Sequence, residues 1–296
     1  MFYRIPKFNY YRVESLDEAL DLISRLDDFK VLAGGTDLII DLKVRRYTVK
    51  NVVDISRIKE LSYIADDGDK IRIGALTKLQ AIAESPVVKE KAPVLAEAVR
   101  EMASWQVRNI ATIGGNLCNA SPAADTAPPL LVLNASLKLV SREGEREIPI
   151  TEFFLGPRKT ALKSNELLKE IVIPYEPGCG SSFIKLGRRN SFTLSVVAVA
   201  TLVKVEENKF KDVRIALNSV APIPVRARKA EEYLKGKEVS LSNIVGAAKL
   251  VLHDISPISD VRASAEYRKE MSIVLTKDSL IKSLSRIGVK VGGEVE

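Results

Sequence analysis

The chain has 296 residues, of which 46% are hydrophobic and 28% are charged, and its formal net charge is +7. This length and composition predict a globular protein with a large core and exclude a largely disordered chain. The longest apolar run, SVVAVATLVKV, is too short for a membrane span, and the basic residues are interspersed with acids, so we expect neither a membrane span nor nucleic-acid binding.

The few cysteines and histidines limit the chemistry of the chain. Cys118 and Cys179 cannot by themselves hold an iron–sulfur cluster or a tetrahedral zinc ion. The single histidine, His253, ends an apolar helical run, which indicates a helix-surface or capping position. The N-terminal residues lack the apolar segment and cleavage site of a signal peptide. We therefore expect a cytoplasmic protein without a metal site of its own.

Residues 1–57 predict a small α/β unit. Ser15 and Glu18 are spaced as a capping box before an amphipathic helix. The segment KVLAGGTDLI then predicts a short strand, a glycine turn and a further apolar run, and NVVDIS predicts another strand.

Residues 58–176 predict a larger unit, a mixed sheet with helices. Two short strands flank the turn Asp67-Gly68, and the helix TKLQAIAES follows with Thr77 as its cap. APVLAEAVREMA predicts an amphipathic helix, LLVLNASLKLVSREGEREIPI a hairpin that turns near Glu143-Gly144, and ELLKEIVIPY a last strand.

A cluster of proline, glycine and serine, EPGCGSS, predicts a domain boundary near residue 176. Residues 177–296 then predict three strands followed by helices from about residue 226 to residue 287. The expected fold class is α+β, with a two-part N-terminal domain and a C-terminal domain that carries a three-stranded antiparallel sheet and helices.

Two Gly-Gly turns, AGGTDL at residues 33–38 and TIGGNL at residues 112–117, lie in the N-terminal half. Glycine allows a diphosphate to approach the main chain, and successive N–H groups can then face its oxygens. Tight chain geometry explains either turn alone better than a bound ligand does, but two such turns in the same half favour a ligand. Neither is a G-x-G-x-x-G fingerprint or a P-loop, so a dinucleotide here would be bound without a Rossmann unit.

Asp125 follows the second turn in the segment SPAADTAPP. Its carboxylate could accept hydrogen bonds from the hydroxyl groups of a ribityl chain or a ribose. It could equally cap the apolar segment that begins at Thr126, and the residue pattern leaves both interpretations open.

The segments VLAGGTDLI and QVRNIATIGGNLCNASPAADTAPPLLVL together resemble the FAD-binding medium subunits of the molybdenum hydroxylases. This family includes xanthine dehydrogenase, carbon monoxide dehydrogenase and aldehyde oxidoreductases, among them archaeal glyceraldehyde oxidoreductases. The resemblance continues through IPYEPGCGSSFIKLGRRNSFTLSVVAVA and DVRASAEYRKEM, and so covers nearly the whole chain. One departure is Phe192, at a position where many relatives carry tyrosine.

The resemblance implies a set of cofactor contacts. The two turns would cradle the FAD diphosphate, Asp125 would hold cofactor hydroxyls, and Leu168 and Lys185 would line the pocket near the flavin. The implied contacts are Leu32, Ala33, Gly34, Gly35, Thr36, Asp37, Thr112, Ile113, Gly114, Gly115, Asn116, Asp125, Leu168 and Lys185. Without the resemblance, Lys185 would be interpreted as a surface lysine on an edge strand.

The resemblance also implies an electron-transfer role within a heterotrimer. A small partner subunit would pass electrons from two [2Fe–2S] clusters to FAD, and a large partner with the molybdenum cofactor would oxidise an aldehyde or related substrate. An external acceptor would then reoxidise the flavin. The alternatives are a self-sufficient FAD oxidoreductase of the same fold and a nucleotide-binding regulatory module. The implied partners carry the metals, and no residue of this chain is expected to be catalytic toward the organic substrate.

Overall fold

The computed structural model describes residues 4–291. The N-terminal part is a three-stranded parallel sheet of order β1-β3-β2, in which β1 and β2 both pair with β3. Helix α1 follows β1, and helix α2 follows β2 after the first glycine turn. The bounds are β1 Asn9–Arg12, α1 Leu16–Arg25, β2 Phe29–Leu32, α2 Leu38–Lys43 and β3 Asn51–Asp54. As predicted, the Ser15 side chain caps α1 by accepting from the Glu18 N–H at 3.2 Å.

The middle part is a five-stranded sheet of order β4-β5-β10-β6-β7 that packs against short helices, with a small β8–β9 hairpin beside it. All of its strand pairs are antiparallel, whereas the sequence predicted a mixed sheet. The strands are β4 Ile64–Asp66, β5 Lys70–Gly74, β6 Ser136–Ser141, β7 Gly144–Pro149, β8 Phe154–Gly156, β9 Lys159–Thr160 and β10 Leu167–Pro174. The helices are α3 Leu79–Glu84, α4 Pro86–Lys91, α5 Pro93–Glu101, α6 Trp105–Arg108, α7 Ile113–Asn119 and α8 Ala127–Val132.

The C-terminal part is an antiparallel sheet of order β11-β12-β13-β14. Its three long strands are the predicted ones, and a two-residue strand, β14, extends one edge. The strands are β11 Gly180–Gly187, β12 Ser195–Glu206, β13 Lys209–Asn218 and β14 Val225–Arg226; the helices are α9 Arg228–Leu234, α10 Leu241–Leu250 and α11 Ala265–Arg286. Single 3-10 turns cover Lys59–Leu61, Ile150–Glu152 and Val251–His253.

The C-terminal sheet has two apolar faces. One face packs with α9, α10 and α11. The other face contributes Phe183, Ala198 and Ala200 to the core of the middle part. Burial on both faces explains why β12 is an almost unbroken apolar run. The two glycine turns therefore lie in an N-terminal half that packs against the C-terminal sheet.

Two predicted local features are wrong. The run LLVL was assigned to a hairpin, yet Ala127–Val132 is helix α8, whose first turn holds Pro128 and Pro129. Proline suits the first turn of a helix, but it cannot donate to a sheet ladder. Thr77 does not cap α3, because its hydroxyl donates to the Tyr63 carbonyl at 2.8 Å and accepts from the Tyr63 N–H at 3.1 Å.

The predicted boundaries after residues 57 and 176 fall in connections between sheets. β3 ends at Asp54 before β4 begins at Ile64, and β10 ends at Pro174 before β11 begins at Gly180. The division into units 1–57, 58–176 and 177–296 itself stays a prediction. Among residues 4–291, no helix is long and apolar enough to cross a membrane.

Candidate functional site

The two glycine turns lie against each other. A Cβ built on Gly34 would lie 2.9 Å from the Ala111 Cα and closer still to the Ile110 carbonyl oxygen, just before the second turn. A Cβ on Gly115 would lie 3.9 Å from the Ala33 Cβ. Two motifs that are nearly 80 residues apart in the sequence thus form one surface, and Gly34 is required for their close approach.

The first turn presents free main-chain donors. The N–H groups from Ala33 to Asp37 have no hydrogen-bond acceptor within residues 4–291. Gly35 has a left-handed φ of +73°, which glycine adopts without strain. A run of N–H groups without acceptors between a strand and a helix suits an anionic oxygen, because such groups otherwise cost free energy when they are shielded from water.

The second turn differs from the prediction, because it begins helix α7 and its main-chain donors from Ile113 to Asn116 are already paired. The N–H groups of Ile113, Gly114 and Asn116 donate to the carbonyls of Thr77, Ala75 and Thr112 at 2.8–3.1 Å. The Gly115 N–H donates to the Thr112 Oγ1 at 3.1 Å, so Thr112 is the N-cap. This turn therefore offers a ligand a closely fitting surface rather than a run of free main-chain donors.

Side-chain donors remain beside both turns. The Asn116 Oδ1 accepts from the Thr126 hydroxyl at 2.6 Å, so the amide nitrogen of Asn116 faces away from Thr126. Within residues 4–291, the only side-chain hydrogen bond of Asn116 is the one to Thr126, and the Thr36 hydroxyl makes none. Although Asp37 is exposed, partial desolvation raises the pKa of its carboxyl, and the positive charge of Arg158 opposes that shift.

Asp125 is buried, and both oxygens of its carboxylate accept hydrogen bonds from the C-terminal sheet. Its Oδ2 accepts from the Lys185 Nζ at 2.7 Å. Its Oδ1 accepts from the Ser195 Oγ at 2.5 Å and from the Asn218 Nδ2 at 2.8 Å. The Lys185 side chain is only 4% exposed, so its interpretation as a surface lysine is wrong even though β11 is an edge strand. Asp125 makes no cap bond to α8.

The other singled-out residues lie in different surroundings. Leu168, on β10, is buried in the same apolar cluster as Ile113 and Leu117 of α7. Phe192 is 55% exposed in the turn after β11, and its φ is +49°. Burial raises the pKa of Cys118 to about 12. His253 lies on the surface at the end of a 3-10 turn.

Sequence reasoning missed two partners of Asp125, Ser195 and Asn218. They lie 70 and 93 residues further along the chain, on different strands. A serine and an asparagine at such distances carry no motif, so only the antiparallel register of β12 and β13 reveals them.

Comparison with known proteins places these features in a family. A family model described as the FAD binding domain in molybdopterin dehydrogenase matches residues 6–176, and one described as the CO dehydrogenase flavoprotein C-terminal domain matches residues 182–283. The glyceraldehyde dehydrogenase medium chain of Sulfolobus acidocaldarius is 37% identical over 272 residues, which cover 92% of this chain and 96% of that relative.

Carbon monoxide dehydrogenase gives similar agreement. Its medium chain from Hydrogenophaga pseudoflava is 33% identical over 283 residues, covering 95% of this chain and 98% of the relative. A solved structure of the enzyme from that organism contains a chain that superposes with a TM-score of 0.93 at 33% identity, covering 96% and 99% of the two chains. The protein therefore belongs to the family of FAD-binding medium subunits of molybdenum hydroxylases. It is the flavoprotein subunit of such an enzyme, and FAD is its cofactor.

Proposed function

We propose that FAD lies across the two glycine turns, with its diphosphate on the N–H groups of Ala33–Asp37. The free donors of this turn, the Thr36 hydroxyl and the Asn116 amide support the placement. The second turn would bound the diphosphate from the other side. The full proposed contact set is Leu32, Ala33, Gly34, Gly35, Thr36, Asp37, Thr112, Ile113, Gly114, Gly115, Asn116, Asp125, Leu168 and Lys185.

We further propose that Asp125 and Lys185 act at the cofactor as a pair. The Lys185 Nζ lies 2.7 Å from the Asp125 carboxylate, and both side chains are buried. Lys185 would then hold a cation beside the flavin, which favours the arrival of electrons there. Asp125 would orient that cation and still have acceptor capacity for a cofactor hydroxyl, since each carboxylate oxygen can accept more than one hydrogen bond.

The role proposed for the chain is electron transfer inside a larger enzyme. When bound, FAD can accept electrons one at a time and release two together. Two cysteines and one histidine are too few ligands for a cluster relay on this chain, and the relatives of nearly equal length are themselves named medium chains. The electrons would come from [2Fe–2S] clusters of a small subunit, fed by a large molybdenum subunit, and would leave to an external acceptor.

An aldehyde is the proposed substrate class of the assembled enzyme. The support is the 37% identity to a glyceraldehyde dehydrogenase medium chain, compared with 33% to a carbon monoxide dehydrogenase medium chain. Substrate selection would take place in the molybdenum subunit, so the test belongs to the complex. The native complex, isolated with its metals, should oxidise aldehydes in preference to purines or carbon monoxide.

The isolated chain provides the direct test of the electron-transfer role. Loaded with FAD, it should not reduce a dye when aldehyde is offered, because the carbon chemistry needs the molybdenum site. After reduction by dithionite and removal of the excess, the same protein should pass its electrons to the dye. Absorbance of the flavin and of the dye measures both steps.

Each contrary result has a clear meaning. Sustained aldehyde-dependent dye reduction by the lone chain would favour a self-sufficient flavin oxidoreductase. A reduced flavin that no dye can reoxidise would favour a nucleotide-binding regulatory module. Acid denaturation should release free FAD, and release of FMN instead would contradict the proposed diphosphate cradle.

Gly115→Val tests the placement of the cofactor. Gly115 has ordinary helical backbone geometry, so no positive φ requires glycine at this position. Steric contact remains a reason, because an added Cβ would lie 2.9 Å from the Thr112 Oγ1 and face Ala33. We expect at least a tenfold rise in the Kd for FAD, measured by quenching of flavin fluorescence, while circular dichroism stays native. A folded variant with wild-type affinity would make this turn purely structural.

A further inference from the structure

Arg158 joins helix α2, which follows the first glycine turn, to helix α7, which contains the second. It lies in the tight turn between β8 and β9, and its Nη1 donates to the Asp41 Oδ2 at 2.8 Å and to the Asn119 Oδ1 at 2.9 Å. Asp41 belongs to α2, after the first turn, and Asn119 ends α7, after the second. One guanidinium nitrogen therefore links two segments that are far apart in the sequence.

Charge neutralisation alone does not account for this contact. The Asp41 carboxylate is buried, with 8% of its side chain exposed, but it has a second cation nearby in Arg46, 3.2 Å from its other oxygen. Arg46 comes from the residues just after α2 and cannot connect that helix to anything else. What Arg158 adds is the connection to α7, because a guanidinium carries several donors in a fixed plane.

The backbone at this contact is also held in place. Arg158 has φ +59° and Ala120, the residue after α7, has φ +45°, both in the left-handed region that non-glycine residues seldom adopt. The Arg158 N–H donates to the Ala120 carbonyl at 2.9 Å, so the two unusual conformations support one contact. Such conformations persist where the surroundings determine them.

We propose that Arg158 is a positioning residue that sets the separation of the two glycine turns and so preorganises the FAD site. The inference rests on the proposed placement of FAD across both turns. A cofactor that must touch both surfaces binds more tightly when their spacing is already correct, because binding then does not have to order them. Arg158 acts through Asp41 and Asn119, with no contact to the cofactor required.

The test compares Arg158→Ala with Arg146→Ala on the full chain. Arg146 makes a bidentate pair with buried Glu166 in the same part of the fold, at 2.7 and 2.8 Å, without linking the helices after the turns. Both variants should lower the Tm of the FAD-free protein. Only Arg158→Ala should raise the Kd for FAD, by at least tenfold in a fluorescence titration. Arg158→Lys, which keeps the charge without the planar donors, should restore part of the affinity.

Asn119→Ala provides a milder variant that keeps the Arg158–Asp41 ion pair and cuts only the link to α7. It should raise the Kd for FAD several-fold with a small change in Tm, and combining it with Arg158→Ala should give less than the product of the two effects. Wild-type affinity in folded Arg158→Ala or Asn119→Ala, or an equal loss in Arg146→Ala, would overturn the proposal. Gly115→Val tests the placement of FAD separately: if it too binds FAD normally, the placement itself is wrong.

Discussion

Replacing Asp125 with alanine is expected to lower the free energy of unfolding by about 3–5 kcal/mol, because removal of one partner from a buried ion pair leaves the other charge uncompensated. The charge left behind is Lys185, whose side chain is 4% exposed. Ser195 and Asn218 would also lose the acceptor to which they donate. Urea unfolding of the FAD-free protein measures the loss, and a fluorescence titration should show FAD binding at least tenfold weaker.

The double variant Asp125→Ala/Lys185→Met identifies the cause. Removing both charges should recover stability relative to Asp125→Ala alone, since the penalty comes from an unpaired buried cation. Glu206→Ala, which breaks a half-exposed pair with Lys211, should change the stability little. A loss near 1 kcal/mol that is the same with and without Lys185 would instead indicate a helix cap.

Gly34→Ala is expected to weaken FAD binding at least tenfold and to destabilise the fold. The new Cβ would meet main-chain atoms of Ile110 and Ala111, which cannot move aside as a flexible side chain could. The two turns would have to separate, and overpacking of this kind costs about 1–3 kcal/mol. The Kd for FAD and the urea midpoint measure the two effects.

Gly156→Ala is the matched control for this substitution. Its added Cβ would meet only the Lys159 side chain, at 3.9 Å, which is an ordinary contact distance. We expect wild-type FAD affinity and stability within about 0.5 kcal/mol, as for other substitutions that meet no obstacle. If Gly34→Ala behaved like Gly156→Ala, the close approach of the two turns would not matter for the cofactor.

Local patterns predicted most of the secondary structure because their signals are short in range. The capping residue Ser15, the turn at Glu143-Gly144 and the apolar run of β12 each depend on neighbours in the chain. The prediction failed at Pro128-Pro129, where a short apolar run has no period that separates strand from helix. It also failed at Thr77, whose hydroxyl bonds to Tyr63, 14 residues earlier.

The site was only partly predictable for the same reason. The glycine turns are visible as motifs, and the family resemblance pointed to FAD. The sequence does not reveal that the N–H groups of the first turn are free while those of the second are paired. That pairing depends on the carbonyls of Thr77 and Ala75, which accept from α7. Likewise, the link from Arg158 to Asp41 spans 117 residues and has no sequence signature.

The sequence by itself thus determined most of the elements, the fold class and the family, since glycine pairs, caps and apolar periods express local backbone and burial preferences. Only the tertiary structure decided what Asp125 does. The residue pattern supports a contact to cofactor hydroxyls and a helix cap equally well. The pairing of Asp125 with Lys185, Ser195 and Asn218 adds a third function, which is to join the halves of the chain. The physical reason is burial: a carboxylate removed from water takes whichever donors the packed sheet brings to it, and those donors come from strands that pair only after the chain has folded.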